Sequence, residues 1–65
     1  MTHEEKVHLA LRAIDKRWNF EQLYYGDDLY GHEDDADSVW ALVDECLDIG
    51  RVSFKQKYEQ IIRAE

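Results

Sequence analysis

The 65-residue chain has no proline, three glycines and one cysteine, and each shortage narrows what it can be. With glycine confined to Gly26, Gly31 and Gly50, little interrupts the backbone, a composition that favours helices joined by few breaks. Cys46 alone excludes an internal disulfide framework and a cysteine-rich zinc site, and points to a reducing, cytoplasmic compartment. No apolar run approaches the roughly 18 residues of a membrane span. The opening Met-Thr-His-Glu-Glu-Lys is polar and acidic, unlike a signal or transit peptide. Lys and Arg are missing altogether from residues 27–50.

Beginning at Met1, the sequence is expected to be one domain and a complete product. A chain this short buries only about 60% of its unfolded surface, so its stability is a few kcal/mol. It has little room for a substrate pocket with a core beneath it, and a non-enzymatic role is expected.

The net charge of −7 is unevenly spread. Residues 1–26 balance four carboxylates against four cations, and residues 51–65 carry a small positive excess. Residues 27–50 hold nine carboxylates: Asp27, Asp28, Glu33, Asp34, Asp35, Asp37, Asp44, Glu45 and Asp48.

Capping patterns and periodicity predict an all-α fold of three or four helices, at about residues 3–18, 20–25, 38–49 and 54–64. Thr2 with Glu5 has capping-box spacing, and Val7, Ala10, Leu11, Ile14 and Trp18 then recur on one helical face. Asn19 with Gln22 repeats the device, opening either a short second helix or a kink in one continuous helix. Residues 26–36 show no period and are expected to form an acidic loop whose later carboxylates cap the next helix. Gly50 supplies a left-handed stop, and Ser53 with Gln56 has the spacing to open the last helix. Trp18, Trp40 and Phe54 are expected in the core.

On the third helix Val39, Leu42, Val43, Cys46, Leu47 and Ile49 cover one broad apolar arc. Asp37, Asp44 and Asp48 fall within about 40° of one another on the opposite side. Solubility alone accounts for charge on an exposed helix face. It does not account for one sign, since a face serving only solubility ordinarily mixes lysine with glutamate, as residues 1–26 do. Single-sign fields steer oppositely charged partners, and aromatic side chains anchor interfaces. The expected partner surface therefore comprises Tyr25, Asp27, Asp28, Tyr30, Glu33, Asp34, Asp35, Asp37, Asp44 and Asp48. A negative surface repels nucleic acid, so the expected partner is a basic protein, including one whose own site holds nucleic acid. In composition alone the chain has the character of small acidic inhibitors made by phages and mobile elements. The rival expectation is a self-associating structural or accessory subunit, a homodimer closed by an incomplete apolar face on the first or last helix.

Other chemistries fit poorly. An EF-hand loop needs oxygen ligands at positions 1, 3 and 5, glycine at 6 and glutamate at 12. No register beginning at Asp27, Asp28 or Asp34 provides them. His3 and His8 are five apart and do not form an i, i+4 metal pair. Gly26 and Gly31 stand among carboxylates that would repel a phosphate. Cys46 lies in the apolar arc beside Asp44, Glu45 and Asp48, which disfavour a thiolate. No catalytic residue, metal or cofactor is expected.

Overall fold

The Thr2 hydroxyl accepts the amide of Glu5 at 3.1 Å, and a helix starts there. The computed structural model describes residues 1–63. Among them are five helices and no strand: α1 (His3–Asp15), α2 (Phe20–Tyr24), α3 (Ala36–Ile49), α4 (Arg51–Lys57) and α5 (Glu59–Arg63). The fold is a small all-α domain, as its composition and capping patterns predict. No helix among the described residues is long and apolar enough to cross a membrane.

α1 ends at Asp15 rather than near residue 18, and it does so without glycine. The Trp18 amide donates to the Ala13 carbonyl at 2.9 Å and the Arg17 amide to that of Ile14 at 3.1 Å, the paired bonds of a Schellman stop. Arg17 takes the left-handed position, φ +57°, that usually falls to glycine. An L side chain there costs about 1 kcal/mol. Replacing Arg17 by glycine should therefore raise stability by up to about 1 kcal/mol, after allowing for glycine's freer unfolded chain. A higher urea midpoint would show it; a lower midpoint would mean that the Arg17 side chain does more than its exposed position indicates.

Asn19 settles the junction between α1 and α2. Its side chain accepts the Gln22 amide at 2.8 Å while the Gln22 side chain accepts the Asn19 amide at 2.9 Å. This reciprocal cap makes α2 a separate helix.

The stretch expected as an open acidic loop is more ordered. It contains two 3-10 turns, at residues 27–29 and 33–35, and Leu29 within it is 0% exposed. The Arg12 guanidinium meets Asp28 at 2.7 Å, tying the first turn to α1. α3 then begins at Ala36, two residues earlier than its apolar periodicity indicates. Asp35, in its N-cap position, makes no side-chain cap bond. Its carboxylate instead faces the Met1 ammonium at 3.4 Å and Lys6 at 3.6 Å.

Gly50 joins α3 to α4 at φ +91° and ψ 150°, a region essentially reserved for glycine. α4 starts at once, so Ser53 lies inside it and the expected Ser53–Gln56 cap does not form. The last helix is also broken, at Tyr58 (φ −105°, ψ 23°), which separates α4 from α5. Its expected end at residue 64 lies outside the described residues.

α3 packs chiefly on α1, while α4 and α2 pack against α3 and α5 returns to α1. One apolar cluster holds these elements together, with Val7, Leu23, Leu29, Val39, Cys46 and Phe54 as its largest fully buried side chains. The burial on α1 is wider than its expected face: Leu9 and Ala13 are covered as well, while Ile14 and Trp18 are half-buried. Trp40 is likewise half-buried at the margin, and Phe54 is fully enclosed. The radius of gyration is 11.0 Å, close to the roughly 11 Å of a tightly folded chain of this length.

Candidate protein-binding surface

An aromatic series positions one part of the surface. Trp40 on α3 meets Phe20 edge to face at 5.7 Å, Phe20 stacks on Tyr24 at 6.0 Å, and Tyr24 meets Tyr25 edge to face at 4.9 Å. The core thus fixes the end of α2, and α2 delivers Tyr25 to the surface, where it is 80% exposed. Tyr30, on the turn that follows, is 85% exposed. Gly31 takes φ +81°, and its amide donates a long bond of 3.4 Å to Glu33 Oε1. Tyr24, Tyr25, Gly26, Asp27, Tyr30 and Glu33 together line a cleft of about 400 Å³. Four of the residues expected from sequence, Tyr25, Asp27, Tyr30 and Glu33, are therefore brought together. Tyr24 joins them, its ring direction being invisible before the fold is known.

α3 supplies the second part. Asp37, Asp44 and Asp48 are all exposed, and their spacing on one continuous helix keeps them within about 40°. Asp34, in the turn leading into α3, is exposed too. Among the described residues, none of Asp27, Glu33, Asp34, Asp37, Asp44 or Asp48 is in an ion pair.

The remaining carboxylates are already engaged. Asp28 pairs with Arg12, and Asp35 with Met1 and Lys6, so both hold the acidic segment to α1. Glu45, on the flank of α3, accepts Lys57 at 2.7 Å and the Tyr58 hydroxyl at 3.2 Å. Asp15 pairs with Arg51 across the α1–α4 gap, and Glu59 with Arg63 along α5 at 2.7 Å. The field of residues 27–48 is thus concentrated in six carboxylates rather than shared among all nine.

These pairings set the local pKa directions. Partial burial raises the Asp35 carboxyl, but bonding and charge from the N-terminal ammonium and Lys6 outweigh it and hold the group below its ordinary value. The Lys57 hydrogen bond, aided by Tyr58, lowers Glu45 and in turn raises Lys57. Burial, then the bond to Glu45, raises Tyr58. A carboxyl depressed by folding contributes stability above its unfolded pKa, about 4.3 for glutamate, and loses it as pH falls through the folded value. Glu45→Gln should therefore flatten the fall in melting temperature between pH 5 and pH 3. Parallel acid profiles for variant and parent would show that the Glu45 pair adds nothing.

Leu47 and Ile49, expected within the buried arc, are exposed instead, at 67% and 39%, and Val52 on α4 is 72% exposed. The arc is wider than the surface that α1, α2 and α4 cover. Cys46 is buried, and burial pushes its thiol pKa up, which suits a core residue rather than a nucleophile. Among the described residues no group of three or more His, Cys, Asp or Glu is placed to hold a metal ion. No protein-family model, curated protein or solved structure matches the chain, so the chemistry of this surface stands on its own.

Proposed function

We propose that the protein is a non-enzymatic binding module, an inhibitor or adaptor whose acidic face engages a basic site on another protein in the cytoplasm. The observation that carries this reading is the C-terminal half of α3. A helix C-terminus favours cations, and α1, α4 and α5 each place Arg or Lys in their last turn. α2 and α3 place none there, and α3 also carries Asp44 and Asp48 as an exposed like-charge i, i+4 pair. That choice costs a few tenths of a kcal/mol for the pair and more against the helix dipole. Stability does not explain it; attraction of a positive partner does. Basic protein surfaces commonly hold phosphates, so occupying one would block nucleic acid by substituting carboxylates for backbone charge, as small inhibitors of phages and mobile elements would.

The test is affinity capture from the native host on the immobilised protein, followed by stepwise salt elution. This reading expects a basic protein, retained at low salt, released as screening increases and competing with nucleic acid for the same site. Recovery only of partners insensitive to salt would overturn it.

Exposed Leu47, Ile49 and Val52 favour a second reading, self-association, through the α3–α4 corner rather than through the first or last helix as expected from sequence. A dimer of that kind would persist in high salt during sedimentation, because apolar contacts are screened little.

A further inference from the structure

We infer that the cleft between α2 and the turn after it is a recognition site for a single arginine side chain of the partner. This rests on the reading above, and adds a specific site to a general attraction. Three tyrosines and two carboxylates line the cleft, and no Lys or Arg does. The Tyr24 and Tyr25 rings stand nearly perpendicular, 80° apart with centroids at 4.9 Å, and so form a corner rather than a flat stack. Tyr25 and Tyr30 leave most of their surface open, although large aromatic groups are ordinarily covered where the fold can use them.

A guanidinium suits this arrangement on two counts. It is planar and weakly hydrated, so it lies against a tyrosine face by cation–π attraction. Its N–H groups then point outward in its plane, where carboxylates accept them, and Asp27 and Glu33 supply two. An ammonium offers no plane to stack and gives up hydration at greater cost. The volume, about 400 Å³, is at the small end for ligand clefts, and it admits an arginine side chain. Gly26 forms part of the wall, and a Cβ there would sit 3.0 Å from the Gln22 carbonyl oxygen, so the turn is closely built.

The experiment titrates the full chain with acetyl-arginine-amide, acetyl-lysine-amide and the neutral isostere acetyl-citrulline-amide, following tyrosine ring and backbone amide NMR signals. Saturable shifts are expected at Tyr24, Tyr25 and Tyr30 with arginine, weaker ones with lysine and none with citrulline. Tyr25→Leu/Tyr30→Leu should weaken arginine binding roughly tenfold or more, while Tyr25→Phe/Tyr30→Phe, which keeps the rings, should retain it. Both tyrosines are exposed, so an unchanged melting curve checks that each variant folds. Equal shifts from citrulline, or arginine shifts confined to Asp37, Asp44 and Asp48, would overturn the inference. A basic partner bound equally well by the Tyr25→Leu/Tyr30→Leu variant would also overturn it, yet leave the acidic-face reading standing. Arginine binding in the cleft with no basic partner recovered from the host would do the reverse.

Discussion

Phe54→Ala is expected to leave most of the chain unfolded at 25 °C. Phe54 is 0% exposed and is the buried residue that α4 contributes to the core. Removing a buried phenylalanine side chain costs about 3–5 kcal/mol, and the whole stability of a domain this small is on the order of 3–5 kcal/mol. The loss would spread beyond the cavity. The Phe54 ring lies 4.7 Å from that of Tyr58, whose hydroxyl bonds Glu45 on α3. Without Phe54 the contacts that hold the α3–α4 corner among the described residues are chiefly the Gly50 turn, the Tyr58–Glu45 hydrogen bonds and exposed ion pairs, the last worth little each. Far-UV circular dichroism with urea titration measures the effect. A cooperative transition with a midpoint near that of the parent would mean that α4 is not anchored through Phe54.

Reversing Asp37 and Asp44 to lysine is expected to weaken binding of a basic partner by about 100-fold or more, since each reversal replaces an attraction with a repulsion. The fold should scarcely register the change. Asp37 stands in the first turn of α3, where a carboxylate is favourable, so Asp37→Lys costs a few tenths of a kcal/mol. Asp44→Lys regains a similar amount by removing the repulsion of Asp48. The two nearly cancel, leaving a melting temperature within about 4 °C of the parent's. Binding and stability therefore separate, which is what distinguishes a functional acidic face from one that only solubilises.

Much of the architecture was legible because local chemistry decides it. Asn19 and Gln22 form in three dimensions the cap that their spacing announces, and Gly50 adopts a positive φ where the apolar period stops. What sequence could not show depends on residues distant along the chain. Leu29 lies in an aperiodic stretch, and its burial depends on the first 3-10 turn folding back onto the core, beside the exposed Asp28–Arg12 pair. The break at Tyr58 carries no glycine or proline to mark it, and falls where Tyr58 turns its hydroxyl to Glu45.

The candidate surface divides the same way. The stripe of Asp37, Asp44 and Asp48 follows from helical spacing alone. That Asp28 and Asp35 are drawn into pairs with α1 does not, because Arg12, Lys6 and Met1 are remote in sequence. The cleft needed the fold as well: the closeness of Tyr24, Tyr25 and Tyr30 in sequence is visible, but not that they and two carboxylates line one open cleft. Exposure of Leu47 and Ile49 escaped periodicity because a helical pattern gives the direction of an apolar arc, not how much of it the neighbouring helices cover.

The most direct test measures partner affinity and thermal unfolding together for the parent and for Asp37→Lys/Asp44→Lys, at about 0.15 M salt. The acidic-face account predicts that the variant melts within a few degrees of the parent and has lost binding. Full affinity in a well-folded variant would contradict it.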